Sequence, residues 1–147
     1  MTPNHIILHH SLTKDSGTVS WGAIRRYHIK DLGWRDIGYH FGLELINDSY
    51  EILLGRLPYE RGAHCKEQNM NNTSLGVCFV GNFDIEKPSD TIWKKGLDLC
   101  SFLCKAFKIP VDNIHGHNYY APYKSCPGKL FNVERFKKDL QFMMFKP

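Results

Sequence analysis

The spacing of hydrophobic and polar positions along this chain shifts between two periods, which predicts alternating strands and helices. Short apolar runs bounded by turn residues, such as Ile6-Ile7-Leu8, are typical of buried strands. Longer stretches place apolar side chains three and four positions apart, as a helix with one buried stripe requires. The predicted strands lie near residues 5–9, 39–46, 50–55, 74–83 and 112–117, and the predicted helices lie near 20–32, 89–107 and from about 133 onwards.

Residues that commonly begin or end helices stand at the borders of these predicted helices. Ser20 and Asn132 can each cap a first turn with a side-chain oxygen, and Gly33 can end the helix that follows Ser20. Strands and helices that alternate in this way pack as a sheet covered by helices. We therefore expect an α/β fold: a single domain over residues 1–147, with a mixed central β-sheet and helices packed on it.

Length and composition exclude several classes of protein. No apolar run approaches the roughly 18 residues that indicate a membrane span. The first residues, Met1-Thr2-Pro3-Asn4-His5, lack the basic and apolar regions of a signal peptide. Five cysteines, an odd number, fit a reducing compartment better than a disulfide framework. These features predict a protein that is cytoplasmic on synthesis.

The charge of the chain narrows the choice of partners. A net charge of +4 favours anionic partners, among them nucleic acid and the acidic polymers of a bacterial wall. The lysines and arginines do not form a stripe with interleaved aromatic residues, which argues against nucleic acid. No sequence pattern indicates an oligomer, and a monomer is the expectation.

The segment 116–128 carries the strongest candidate chemistry. It places the imidazole of His117 and the thiol of Cys126 nine positions apart, with Lys124 two positions before the thiol. Imidazole and thiolate are ligands that zinc prefers. A third ligand is available from the pair His9-His10, which stands at the end of the first predicted strand. Three protein ligands leave one coordination position for water, which is the pattern of a catalytic zinc site.

Spacing alone leaves the choice of histidines open. His10 competes with His9, because both stand at the end of the same predicted strand. His115 competes with His117, since residues two apart project to the same side of a strand.

The remaining cysteines have simpler interpretations. Cys100 and Cys104, upstream of two histidines, imitate a zinc finger, but a His-x-His spacing is wrong for one. Both cysteines lie on the apolar stripe of a predicted helix, which favours core packing. Cys78 lies in an apolar strand and is expected in the core, whereas Cys65 is expected to be partly exposed without a role in the site.

Several short segments occur in an order that resembles a known family. In chain order they are His9-His10-Ser11, Ile37-Gly38-Tyr39-His40-Phe41, Gly55-Arg56, Gly62-Ala63-His64-Cys65, Ser74-Leu75-Gly76-Val77-Cys78-Phe79 and Lys124-Ser125-Cys126-Pro127-Gly128. Over about residues 5–130 the chain resembles the type 2 family of zinc-dependent N-acetylmuramoyl-L-alanine amidases. That family includes phage endolysins and is similar to the peptidoglycan recognition proteins, so the resemblance implies their fold.

The resemblance also implies roles for particular residues. The family binds Zn²⁺ through the leading histidine of the first segment, a histidine after glycine, and the cysteine before Pro-Gly. The residues that match these ligands are His9, His117 and Cys126. Tyr39 matches a tyrosine beside the metal-bound water, and Lys124 matches a lysine that faces the reacting carbonyl. His64 matches a histidine that lines the substrate groove.

The implied function is zinc-dependent hydrolysis of the amide bond between N-acetylmuramic acid and L-alanine in bacterial peptidoglycan. A phage or prophage endolysin of this kind acts on the cell wall after release. The alternative is a non-catalytic peptidoglycan-recognition module, but such modules typically lack the thiol ligand, which Cys126 supplies here. A regulatory protein that binds another macromolecule is a third class, for which the chain has no motif.

Two departures from the family pattern mark where the resemblance stops. Asn118-Tyr119 stands where many relatives have Arg-Asp, directly after the second histidine. The stretch 65–74 is longer than usual, so the resemblance assigns no substrate contact beyond His64.

Overall fold

A mixed five-stranded sheet forms the centre of the protein. The computed structural model describes residues 1–12 and 20–145. The strands are β1 (His5–His10), β2 (Phe41–Ile46), β3 (Ser49–Leu54), β4 (Ser74–Phe79) and β5 (Ile114–Gly116). Their order across the sheet is β3-β2-β4-β1-β5. The β2–β3 pair is antiparallel, and the β2–β4, β1–β4 and β1–β5 pairs are parallel. The predicted α/β class with a mixed sheet is confirmed.

Two of the helices begin at the side-chain caps that the sequence predicts. The helices are α1 (Trp21–Arg26), α2 (Asp90–Phe107), α3 (His117–Tyr120) and α4 (Val133–Met144), with 3₁₀ segments at Glu67–Asn72 and Val111–Asn113. Ser20 Oγ accepts a hydrogen bond from Ala23 N–H at 3.2 Å. Asn132 Oδ1 accepts one from Arg135 N–H at 3.0 Å. Both bonds satisfy amides that a first helical turn leaves without partners.

The two faces of the sheet carry different side chains because neighbours along a strand point in opposite directions. On the face that we call the helical face, Ile6 and Leu8 of β1 join the apolar core that packs against α2 and α4. The opposite face, which we call the site face, carries Ile7 and His9 of the same strand. Short segments cover the site face in place of long helices. The site face therefore remains open to form a functional centre.

Several predicted boundaries are wrong near the site. The strand predicted at 112–117 consists of a 3₁₀ segment, three strand residues and the start of α3 at His117. His117 therefore leaves the strand and shares no strand face with His115. The chain turns here because Ala121 N–H bonds to the carbonyl of His117 at 2.9 Å and closes a helical turn. The first helix is α-helical only to Arg26 and continues as a π-helical turn to Asp31.

Two further corrections concern single residues. Tyr39 precedes β2, which begins at Phe41, so it is not a strand residue. Cys65 is 1% exposed, because it packs with Ile7, Met70 and Tyr120 beneath the site face. The expectation of a partly exposed Cys65 is therefore wrong.

In the described part of the chain, no helix combines the length and the apolar character that crossing a membrane requires.

Candidate metal centre

Three predicted ligands meet at the carboxyl end of β1. His9 is near the end of that strand, His117 follows the adjacent strand β5, and Cys126 comes from the loop after α3. One possible ligand atom from each residue lies within 4.8 Å of the others. Cys126 Sγ is 3.6 Å from His9 Nδ1, and the rings of His9 and His117 have centroids 4.7 Å apart. A tetrahedral zinc ion would separate its sulfur and nitrogen ligands by about 3.6 Å, so this donor set fits zinc.

The competing histidines lie outside this cluster. His10 shares the strand with His9 but points to the other face, where its Nδ1 accepts a hydrogen bond from Phe83 N–H at 3.1 Å. The ring of His115 stacks on Tyr119 with centroids 3.9 Å apart. The alternation of side chains along β1 thus separates two histidines that spacing could not distinguish.

The finger-like alternative has no geometric support. Cys100 and Cys104 lie on α2 and are buried in the core of the helical face. Within residues 1–12 and 20–145, neither cysteine belongs to a group of three side chains that could hold a metal ion. Their interpretation as core residues, and that of Cys78, agrees with their burial.

Each candidate imidazole ligand has a partner on its outer nitrogen. His9 Nε2 lies 2.9 Å from His64 Nδ1, and His64 Nε2 lies 3.4 Å from the carbonyl of Ser74. His117 Nε2 lies 3.4 Å from Glu67 Oε1. Such contacts fix which ring nitrogen carries the proton and which one remains free to bind a metal.

The thiol is held by the backbone around it. His10 N–H donates to Cys126 Sγ at 3.4 Å, and Asn118 N–H donates to the carbonyl of Cys126 at 2.8 Å. Gly128, two residues later, has φ +126°, and a Cβ there would lie 2.5 Å from the backbone carbon of Phe83. Only glycine allows this backbone to approach so closely, which explains the Pro-Gly sequence after the cysteine.

Asp84 ties the same loop to the end of β4. Its Oδ2 accepts a hydrogen bond from Ser125 Oγ at 2.9 Å, and its Oδ1 accepts one from Lys129 N–H at 2.9 Å. These bonds flank the cysteine on both sides. Hydrogen bonds of the protein itself therefore hold the loop that presents the thiol.

Burial sets the protonation of the three candidate ligands. Burial, with smaller contributions from His64 and His117, holds the pKa of His9 well below its usual 6.5. Burial also lowers the pKa of His117. Both imidazoles are therefore neutral at pH 7, which is the form that binds metals. Burial raises the pKa of Cys126 to about 12, so the thiol must release a proton when a metal binds.

All six residues predicted for the site face one cavity. It has a volume of about 500 Å³. The predicted residues among its lining are His9, Tyr39, His64, His117, Lys124 and Cys126. The ring centroid of Tyr39 lies 5.2 Å from that of His9. Burial raises the pKa of Tyr39 well above 10, so its hydroxyl keeps its proton at neutral pH.

Sequence reasoning missed Glu67, which contacts His117, and Tyr123, which holds Glu67. Glu67 lies beside His117, and Tyr123 OH donates to Glu67 Oε2 at 2.6 Å. Burial alone would raise the pKa of Glu67, but hydrogen bonds from Tyr123 and His117 hold it at about 2. Glu67 lies in the stretch 65–74, whose sequence has no periodic pattern that could have indicated its position.

Comparison with known proteins agrees with this geometry. A family model described as N-acetylmuramoyl-L-alanine amidase matches residues 1–129. The endolysin of Escherichia phage T7 is 42% identical over 134 residues, which cover 89% of this chain and 83% of that protein. The endolysin of Enterobacteria phage T3 is 34% identical over 138 residues, which cover 92% of this chain and 85% of that protein.

Solved structures show the same fold. The endolysin N-acetylmuramoyl-L-alanine amidase LysCS from Clostridium intestinale has a TM-score of 0.80 at 26% identity, covering 95% of this chain and 84% of that chain. Drosophila PGRP-LB has a TM-score of 0.73 at 26% identity, covering 88% of this chain and 78% of that chain. With the family model matching most of its length, the chain belongs to the N-acetylmuramoyl-L-alanine amidase family.

Proposed function

We propose that this chain hydrolyses the amide bond between N-acetylmuramic acid and L-alanine in bacterial peptidoglycan, with zinc held by His9, His117 and Cys126. The observation that carries the proposal is that these three side chains converge and line one cavity with Tyr39 and Lys124. Membership of the amidase family supplies the substrate class. The relatives from phages T3 and T7 are named endolysins, and an endolysin that reaches the wall after release is the matching role.

The protein side chains divide the work. When bound, zinc supplies a Lewis acid and lowers the pKa of a coordinated water towards 7. His9 and His117 hold it as neutral imidazoles, and Cys126 holds it as a thiolate, so the centre keeps a net positive charge. The cavity beside this centre receives the lactyl amide.

Lys124 and Tyr39 act on the substrate from the cavity wall. The ammonium group of Lys124 donates hydrogen bonds to the oxygen on which negative charge develops, an interaction typically worth a few kcal/mol. The hydroxyl of Tyr39 keeps its proton at neutral pH because burial disfavours its charged form and raises its pKa. It therefore takes the proton that the attacking water gives up and donates a proton to the nitrogen as the C–N bond breaks, so that the amine leaves neutral and the tyrosine ends protonated.

Product analysis of digested peptidoglycan tests this function. We expect intact glycan strands and free stem peptides whose new amino terminus is L-alanine, measured by mass spectrometry. A chelator should stop the release and added zinc should restore it. New reducing sugar ends, or new amines on other residues, would contradict the proposal. Wall that is bound but never cut would favour a recognition module.

A further inference from the structure

Glu67 links the 3₁₀ segment at Glu67–Asn72 to the candidate metal centre through both of its carboxylate oxygens. Oε1 lies 3.4 Å from His117 Nε2, and Oε2 accepts a hydrogen bond from Tyr123 OH at 2.6 Å. The Glu67 side chain is only 16% exposed, and that of His117 is 7% exposed. Both oxygens of this carboxylate have a partner, and one partner is a nearly buried imidazole. Glu67 is therefore part of the structure around the centre and not a solvated surface charge.

The ring nitrogen that Glu67 contacts determines which nitrogen of His117 is left to bind a metal. A metal-binding histidine uses one nitrogen for the metal, and a partner on the other nitrogen holds the proton there. His9 follows this arrangement, since its Nδ1 faces Cys126 and its Nε2 faces His64. In His117 the carboxylate of Glu67 faces Nε2, which leaves Nδ1 for the centre. The two imidazoles are therefore supported in the same way, one by a neutral ring and one by a carboxylate.

The backbone around Glu67 is arranged to present it. Asn71 Oδ1 accepts hydrogen bonds from His64 N–H at 2.7 Å and from Cys65 N–H at 2.8 Å, which ties the segment back on itself. Gln68 and Asn69, directly after Glu67, have φ of 52° and 60°, the left-handed region that residues other than glycine rarely occupy. Such conformations persist where surrounding contacts require them, often at functional sites. Asn71 of this segment thus holds the backbone of His64, while Glu67 begins the segment, and the two side chains reach the two candidate histidine ligands.

We propose that Glu67 is a positioning residue, which orients His117 and fixes its tautomer for zinc binding through the His117 Nε2 proton. This inference rests on the proposed zinc site. It assigns a task to the stretch 65–74, for which the sequence predicts no role beyond that of His64 before it. Tyr123 has a supporting part, because its hydroxyl holds the second oxygen of the carboxylate in place.

A second cation site is the competing interpretation of the same contact. Cys65 Sγ lies 3.7 Å from Glu67 Oε1, and one donor atom each from Cys65, Glu67 and His117 lie within 4.8 Å of one another. A cation there would require His117 to give up its Nε2 proton while Nδ1 binds the first ion. It would also require Glu67 to exchange a hydrogen bond for a metal bond. The positioning role needs neither change, so we favour it.

Zinc affinity tests the proposal without relying on activity. The dissociation constant of the full chain is measured by competition with a chromophoric chelator at pH 7. Glu67→Gln, which keeps the shape but removes the charge, should bind zinc about 10- to 100-fold more weakly, the usual effect of losing such a partner. Tyr123→Phe should show a smaller loss, and Glu86→Gln, an exposed carboxamide control, should show none.

Each other outcome has a definite meaning. Wild-type affinity in Glu67→Gln, with zinc bound by the wild type, overturns the positioning role and leaves the proposed function intact. No zinc binding by the wild type contradicts the proposed function itself. Two zinc ions per wild-type chain, with one lost in Cys65→Ser, overturn the positioning role in favour of a second cation site. If Glu67→Gln does not fold without metal, Glu67→Asp is measured in its place. It keeps the charge but is one methylene shorter, so its zinc affinity should lie between those of the wild type and of a chain without the contact. Wild-type affinity in Glu67→Asp would count against the positioning role.

Discussion

The helical face and the site face of the sheet share the same strands but are built in different ways. On the helical face, Ile6 and Leu8 are fully buried against two long helices, and their neighbours are apolar. On the site face, His9 is as deeply buried, but its neighbours are His64, His117 and Tyr39. One strand therefore supplies both stability and chemistry, separated only by the alternation of its side chains.

This difference determines what each face tolerates. Apolar contacts are not directional, so a core accepts changes that keep its volume. A buried polar group needs a particular partner, and a group left without one costs about 1–3 kcal/mol. His9, His64 and Ser74 form such a chain of partners on the site face. Changes on the helical face should therefore alter stability, and changes on the site face should alter function.

The largest expected effect separates a cysteine of each face. Cys126→Ser should lose most of its zinc and about a thousandfold in activity, the equivalent of the several kcal/mol that a catalytic metal supplies. Cys100→Ser, in the core, should keep its zinc and lose stability because a hydroxyl is buried among apolar groups. Metal analysis, turnover and denaturation measure the three quantities. Zinc kept by Cys126→Ser but lost by Cys100→Ser would contradict the proposed site and support the zinc-finger alternative that uses Cys100 and Cys104.

The next largest effect concerns the hydroxyl of Tyr39. Tyr39→Phe keeps the partly buried ring and should fold and bind zinc normally. It should lose about a hundredfold in turnover, the usual scale of general acid–base help. Tyr119→Phe, an exposed tyrosine, is the matched control and should have normal turnover. Near-normal turnover in both variants would make Tyr39 a packing residue.

A third prediction changes a residue of the helical face and leaves the site face intact. A Cβ at Gly96 of α2 would lie 2.5 Å from Cε2 of the buried Phe79, so Gly96→Val overpacks the core. We expect a loss of about 1–3 kcal/mol in the free energy of unfolding, with unchanged turnover per zinc-loaded molecule. Gly22→Val is the control, because a Cβ there has no such neighbour closer than 3.7 Å. A fall in turnover at saturating zinc would show that the two faces are coupled.

The smallest expected effect is the acid sensitivity of the metal-free site face. Burial lowers the pKa of His64 to about 3 in the folded chain, below the unfolded value of 6.5. The unfolded chain thus binds more protons, and the stability present above pH 6.5 is lost as the pH falls towards 3. Between pH 6.5 and 5.5 this one histidine should remove about 1 kcal/mol, measured by urea denaturation. His64→Gln should make that slope shallower without removing it, because burial also lowers the pKa of His9 and of His117. An unchanged slope would contradict the assignment.

Regular elements could be predicted from the sequence because their causes are local. The apolar stripe of α2 and the cap of α4 at Asn132 are both visible as residue patterns, and both are confirmed. The Glu67–Asn72 segment has no such pattern, because its shape depends on Asn71 and on backbone angles that no local periodicity encodes. Glu67 was missed for that reason.

The choice between His9 and His10 shows a different limit. Both end one predicted strand, and only the family resemblance favoured His9. The structure places them on opposite faces, and the deciding fact is which face α2 and α4 cover. That fact depends on the whole topology, since β1 lies between β4 and β5 and takes its neighbours from distant parts of the chain.

The same topology controls when the centre can come into existence. His9 and Cys126 are separated by 117 positions in the sequence but meet at 3.6 Å. Strand β1 leaves the ribosome first, yet its two neighbours in the sheet are made only later, at residues 74–79 and 114–116. At about 5–20 residues per second, roughly ten seconds pass between the synthesis of the first candidate ligand and that of the last. A nascent chain that ends between residues 117 and 125 therefore carries both candidate histidine ligands without their thiol.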